Sequence, residues 1–358
     1  MSESEKQQAV QSCIARVSDP ELGRTFGDLN MVKSVHVDGD QTRVTIELPT
    51  HAYPSKKQLT TAVTTAVAEN VEGAGEVTVK FEHNVRGRQT GGDLGLRVKN
   101  IIAVGSGKGG VGKSTISASL AYGLKHFGSA VGLLDADVYG PSIPHLVGVE
   151  GQPAVKEVPT QDGRVVERML PNEANGVKVM SMGFMVPAEQ AVIWRGPMLH
   201  KALMQFLAQT DWGELDYLVI DMPPGTGDVA LSLSQSVGMA GAVVVCTPQE
   251  VALLDAVKAI SMFRQVKIPV LGMVENMTGE IFGRGGAKAK AEELNVPFLG
   301  EVPAIAAIRE KGDAGQLASL FDDDSPARDH LLHVCQRTAI EVAKEVLDQS
   351  AMPQLEIL

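Results

Sequence analysis

Gly105-Ser106-Gly107-Lys108-Gly109-Gly110-Val111-Gly112-Lys113-Ser114-Thr115 is the stretch whose reading decides the fold. From Gly107 through Gly112-Lys113-Ser114 it fits the phosphate-binding pattern G-x-x-x-x-G-K-[ST]. A β-branched run, Ile101-Ile102-Ala103-Val104, leads into it, and an apolar helical pattern opens near Ser114. This is the strand–loop–helix context that the pattern requires. Glycines let backbone N–H groups close around phosphate oxygens, which also meet the positive end of the following helix. Lys113 supplies a point charge to the outer phosphates and Ser114 a hydroxyl ligand for Mg²⁺. The expected nucleotide-binding residues are Ser106, Gly107, Lys108, Gly109, Gly110, Val111, Gly112, Lys113, Ser114 and Thr115.

Outward from the loop, short apolar strands alternate with helices. Ala130 to Asp135, Tyr217 to Asp221, Ala242 to Cys246 and Val270 to Asn276 read as strands, with long helical patterns such as Glu250 to Val266 between them. Continuous apolar strands alternating with helices predict an α/β fold, a mostly parallel sheet covered by helices on both faces. Residues 150–195 read as a less regular insertion, and Ser325-Pro326 is expected to cap a closing helix to about Asp348, with Leu332, Cys335, Ala339, Val342 and Val346 on one face. Residues 1–83 predict a small α+β domain. It comprises a helix over 4–17, hairpin strands at 32–37 and 42–48, a helix from Pro54 to about Asn70, and a strand over 77–81. The Gly-rich, polar segment within 84–98 reads as a linker, 99–350 as the nucleotide domain and 351–358 as a tail.

Ligands of such sheets bind beyond the carboxyl ends of the strands, so polar residues there carry functional interest. Asp135 and Asp137 end the second strand; they either orient metal-bound or attacking water or form a turn and helix cap, and for Asp137 the functional reading is preferred. Asp221 closes four apolar residues and precedes Met222-Pro223-Pro224-Gly225-Thr226-Gly227-Asp228, a loop suited to reorganise when a phosphate leaves. Thr247-Pro248-Gln249-Glu250 and Glu275-Asn276-Met277 end later strands. Either could reach a base, Asn276 by pairing with an adenine edge, or serve only as turns. Trp194-Arg195 offers a cation to the nucleotide or a dimer partner, or is simply surface.

At Lys108-Gly109-Gly110-Val111-Gly112-Lys113-Ser114 the chain resembles the deviant-Walker-A ATPases, which include MinD, ParA and nitrogenase iron protein. Over about 99–320 it looks most like the Mrp/ApbC branch, described as iron–sulfur cluster carriers. The matching segments are Leu134 to Ser142, Trp194 to Pro197, Asp221 to Asp228, Val274 to Met277 and Phe282 to Gly286. Residues 1–83, with Asp19-Pro20-Glu21, resemble the small domain fused in front of bacterial members. The resemblance implies a homodimer in which Lys108 reaches the partner's nucleotide and ATP is hydrolysed slowly as a switch. Lys108, Lys113 and Asp137 would be the catalytic residues, Ser114, Asp135 and Asp221 the Mg²⁺ residues, directly or through water. It also implies a [4Fe–4S] cluster and, as partners, apoprotein clients or cluster-assembly proteins. One departure stands out: family members usually carry Cys-x-x-Cys between the Glu-Asn-Met and Phe-Gly-x-Gly-Gly segments, and this interval is Thr278-Gly279-Glu280-Ile281. Where the small domain often has Cys-Pro, this chain has Tyr53-Pro54. No iron–sulfur ligand is identifiable.

The formal net charge of −11 over 358 residues argues against nucleic acid as the main partner. No signal-peptide pattern and no apolar run of spanning length is seen, so the expectation is a cytoplasmic protein without a membrane partner. Cys13, Cys246 and Cys335 are scattered, and the latter two read as small buried hydrophobes. The competing readings are a MinD- or ParA-like positioning ATPase and an adaptor that regulates cluster-assembly proteins without holding a cluster.

Overall fold

The structure, a computed structural model, describes residues 2–87, 95–138, 140–159, 165–185, 196–225 and 227–350. Trp194-Arg195, the centre of the linker, Tyr139, Thr226 and the tail lie outside the described residues. The chain divides into two compact units, one running to Arg86 and including residues from Ala343 onward, the other Gly87–Val342.

In the first unit, α1 (Glu3–Ile14) carries a capping box on Ser2 and Glu5. It ends earlier than its periodicity suggests, because Val17 N–H turns back to the Ile14 carbonyl and Ser18 bridges to Thr25. β1 (Val32–Asp38) pairs antiparallel with β2 (Gln41–Leu48) around Gly39, and β3 (Glu76–His83) lies parallel to β2 after the crossover helix α2 (Lys56–Asn70). That helix starts after Pro54 and Ser55, since the Ser55 hydroxyl is given to Glu21 Oε1 at 2.5 Å rather than to the helix end. Asp19 closes the Asp-Pro-Glu turn by accepting the Glu21 and Leu22 N–H groups, and it receives the Tyr53 hydroxyl.

The second unit is built on β4 (Val98–Gly105), α3 (Lys113–His126), β5 (Val131–Asp135) and the short α4 (Ile143–Val147). The hairpin β6 (Val155–Pro159)–β7 (Val165–Met169) follows, then a second hairpin, β8 (Asn172–Ala174)–β9 (Val177–Ser181). The remaining elements are α5 (Gly196–Gln209), β10 (Leu215–Asp221), α6 (Gly227–Ser236), β11 (Met239–Cys246), α7 (Glu250–Gln265), β12 (Val270–Thr278), α8 (Gly286–Leu294), β13 (Phe298–Pro303), α9 (Ala306–Asp313) and α10 (Arg328–Ser350), of which the residues up to Val342 belong to this unit. The sheet order is β13-β12-β11-β4-β10-β5-β9-β8, parallel throughout except for the last pair. Consecutive buried residues along β4, β10 and β11 show that both faces are covered.

Two expectations change. Within 150–195, the described residues supply two strands of the sheet, β8 and β9, the latter pairing with β5 over Gly132–Asp135. The closing helix begins at Arg328, because Ser325 and Pro326 form a separate turn in which the Ser325 carbonyl accepts the Arg328 N–H. Its buried stripe runs through Leu331, Cys335, Ala339 and Val342, with Leu332 only half buried. Cys335 packs so close to α3 that a Cβ on Gly123 would meet its sulfur at 2.2 Å.

Candidate functional site

Strand register places the chemistry. Asp221 pairs with Asp135 on one side and with Val104 on the other, so two carboxylates stand level with the mouth of the glycine loop. The loop returns into α3 through Gly112, whose φ of +80° suits glycine, and a Cβ there would lie 2.2 Å from Asn276 Nδ2. Gly107 is pressed onto the backbone of Asp255, 2.1 Å from where its Cβ would be. Gly109 and Gly110, by contrast, face open space. The loop is therefore anchored on one side and bare on the other, a cradle of backbone N–H groups for an anion.

Lys113 is buried at 7 % exposure and its Nζ lies 2.8 Å from Asp221 Oδ1 and 3.7 Å from Asp137 Oδ2. Asp221 also accepts the Ser114 hydroxyl at 2.6 Å and the Ser117 hydroxyl at 2.6 Å. Ser117 lies outside the phosphate-binding pattern, although a serine one helical turn beyond Lys113 points back to the same strand end. Asp137 Oδ1 accepts the Gly140 N–H at 3.3 Å, which holds this carboxylate beside the lysine.

Asp135, expected at the metal directly or through water, is held by hydrogen bonds within the unit. Fully buried, it accepts the Asp137 and Ile143 N–H groups at 3.1 and 3.3 Å and the Ser181 hydroxyl at 2.9 Å. It thereby ties β5, β9 and the start of α4 together. Burial, reinforced by the Asp221 charge, pushes its carboxyl up to about 8.

Of the residues expected to reach a base, Glu275 is wholly buried and caps α8, accepting the Gly285 and Ala287 N–H groups at 2.6 and 2.5 Å. It is not free for a ligand. Asn276 gives one amide N–H to the Val111 carbonyl at 2.9 Å, bracing the loop from beneath. Asn276 nevertheless lines a cavity of about 460 Å³ beside the loop, together with Thr115, Met277, Pro303, Ile305 and Arg309. Neither Thr247 nor Glu250 is among the residues lining it. Pro303 at the end of β13, Ile305 before α9 and Arg309 within it belong to no motif in the sequence.

A hard divalent cation suits the donors present: Ser114 Oγ, the Asp221 and Asp137 carboxylates, and an excess of negative charge over the single lysine. Among the described residues no group of three or more His, Cys, Asp or Glu is arranged to hold a metal alone, so phosphate oxygens and water would complete such a site. Lys108 is half exposed and has no ion-pair partner among the described residues. Burial pushes the Cys246 thiol up to about 12 and raises that of Cys335 further, keeping both protonated. Cys13 is half buried and donates to the Ala66 carbonyl at 3.2 Å. The turn after β12, where the Cys pair is missing, is closed by reciprocal hydrogen bonds between Gly279 and Gly283.

The family model described as NUBPL iron-transfer P-loop NTPase matches residues 97–339, and that of an iron–sulfur cluster assembly protein matches 7–81. An iron–sulfur cluster carrier protein of Deinococcus radiodurans is 44% identical over 351 residues, covering 95% of this chain and 97% of its own. An iron–sulfur cluster transfer protein NUBPL of Dictyostelium discoideum is 44% identical over 264 residues, 70% of this chain and 77% of its own. Among solved structures, a nucleotide-binding protein of Archaeoglobus fulgidus in complex with ADP superimposes with a TM-score of 0.53 at 37% identity, covering 65% of this chain and 95% of that one. No described helix is long and apolar enough to cross a membrane.

Proposed function

Since the chain belongs to the NUBPL iron-transfer P-loop NTPase family, we propose that it is a dimeric, ATP-hydrolysing switch that delivers iron–sulfur clusters to apoproteins. The observation that carries the nucleotide half is the buried Lys113–Asp221–Ser114 constellation at the mouth of a glycine loop. In this reading the Lys113 ammonium leaves Asp221 for the β- and γ-phosphates, and loop N–H groups hold the remaining phosphate oxygens. Ser114 Oγ and, directly or through water, Asp221 would be the residues that hold Mg²⁺. Mg²⁺, when bound, neutralises charge on the phosphate oxygens. Asp137, 3.7 Å from Lys113 Nζ, is the carboxylate that orients the attacking water. The cavity lined by Thr115, Asn276 and Pro303 takes the base.

Two observations support the dimer. Lys108 projects from the loop without an ion-pair partner among the described residues. Exposed apolar side chains also gather on α6, α7 and the turn after β12: Leu231, Val251, Leu254 and Ile281, the last 88 % exposed. A second copy covering them would bring Lys108 to its nucleotide.

The cluster would be cargo. Anaerobic reconstitution with iron and sulfide, followed by iron counting and transfer to an apo-acceptor, tests this. A colourless protein that transfers nothing sinks the carrier reading. That outcome would favour a second reading, an ATPase that regulates other cluster-assembly proteins, for which the protonated, buried Cys246 and Cys335 and the missing Cys pair already argue. Recovery of such proteins by a pull-down with colourless bait would identify it.

A further inference from the structure

At the opposite edge of the nucleotide unit, before the amino ends of β4 and β10, lies a cleft of about 270 Å³. It is lined by Arg97, Lys156, Arg168, Thr210, Asp211 and Trp212 among others. The Leu215 N–H donates to the Arg97 carbonyl at 3.0 Å, so the two strand starts form one wall. β6 and β7 supply Lys156 and Arg168 from the other side. The glycine loop lies at the carboxyl ends of the same strands, so the cleft has no residue in common with the site described above.

Two features set it apart from an ordinary surface groove. The first is a pair of orphaned polar groups. Thr210 is 3 % exposed and Trp212 2 %, and neither Thr210 Oγ1 nor Trp212 Nε1 has a hydrogen-bond partner among the described residues. Buried donors without partners are costly, about 1–3 kcal/mol each, so a ligand that drew these two into the cleft would relieve that cost. The second is charge. In a chain of net charge −11, Arg97, Lys156 and Arg168 converge here, with Lys178 behind them on the Trp212 carbonyl at 2.6 Å. The facing carboxylates are Asp211 and Glu214, the latter 3.8 Å from Arg97. Arg168, which lines the cleft, gives one N–H to the Ala208 carbonyl, and its guanidinium carries further donors.

We propose that this cleft binds a small oxyanion-bearing ligand, a phosphate or a polycarboxylate, independently of the nucleotide loop. The Thr210 hydroxyl and Trp212 indole N–H lie closed off beneath the cleft and donate to the ligand only after a side-chain shift on binding. Arg97, Lys156 and Arg168 neutralise it from the rim. The volume accommodates a molecule larger than one phosphate, and the mixture of guanidinium and ammonium groups suits two or more anionic oxygens at once.

The chain has two tryptophans, so Trp194→Phe leaves Trp212 as the sole emitter. That variant, saturated with Mg·ADP so that the glycine loop is filled, is titrated with inorganic phosphate, with citrate and with chloride at constant ionic strength. A saturable change in Trp212 emission with phosphate or citrate, and none with chloride, is expected; which anion acts separates the two ligand sources. In Arg97→Gln/Lys156→Gln, both exposed positions, the midpoint should rise at least about tenfold while ADP affinity stays unchanged. The proposal is overturned if neither anion gives a saturable signal, if the double variant responds like its parent, or if ADP affinity falls in parallel. Crystals soaked in both anions that show only water on Thr210 Oγ1 and Trp212 Nε1 would overturn it as well.

Discussion

Lys113 is asked to do two jobs by the same charge. Without nucleotide it compensates Asp221 and Asp137; with nucleotide, in the proposed cycle, it compensates phosphate. Lys113→Ala should therefore abolish ATP hydrolysis and also lower the stability of the nucleotide-free protein by about 3 kcal/mol, since buried carboxylates lose their counter-ion. Lys108→Ala, at a half-exposed position, should spare nucleotide affinity and stability while lowering turnover; equal losses in binding and turnover would remove it from a trans role. Asp135 gives a pH signature. From its ordinary 3.8 its carboxyl is raised to about 8, so in that window the folded chain holds a proton that the unfolded chain has released. Stability should fall as pH rises through the window, by up to about 1.4 kcal/mol per pH unit. Asp135→Asn should flatten that slope, which urea midpoints at pH 5, 6.5 and 8 would show.

At the scale of elements, the loop depends on its return into α3. Gly112→Ala forces a Cβ against Asn276 Nδ2 at a φ of +80°, so we expect a cost of about 1–3 kcal/mol and a loss of nucleotide affinity by calorimetry. The glycine loop, β4, β5, β10, β11 and β12 are legible in the amino-acid sequence. Short continuous apolar runs bounded by turn residues, several of them ending in Asp or Asn, are what buried parallel strands with polar tips require. β8 and β9 are harder to see within residues 150–195, although Asn175-Gly176, with φ of +48° and +80°, is a strong hairpin signal. They are hidden because β8 has three residues and the polar Lys178 interrupts β9. Asp135, Glu275 and Asn276 stand out as polar groups at strand ends. The partners each one takes depend on β9, α8 and the loop backbone, contacts that no local pattern encodes.

For the whole molecule, the α/β class and the presence of two units follow from the alternation of periodicities, whereas the proposed assembly rests on surface chemistry. Leu254→Asp places a charge on the exposed apolar face of α7 without touching the core, Leu254 being 58 % exposed. It should shift the protein toward monomer by sedimentation in the presence of ATP and lower turnover several-fold, while leaving ADP binding to the monomer intact. Unchanged turnover in a monomeric variant would separate hydrolysis from assembly.

The ion pair between Lys113 and Asp221 has a consequence for energetics. It is an internal competitor for the nucleotide: every binding event must first dissolve a buried contact, and the measured affinity is the difference between the two. In the proposed cycle, a metal that took over Asp221 would lower that toll, because the carboxylate would exchange one cation for another instead of being stranded. Metal and nucleotide would thereby be linked thermodynamically, each raising the other's affinity by the same factor. A loop built this way would hold bare nucleotide loosely and tell a metal-loaded nucleotide from a free one before any chemistry begins.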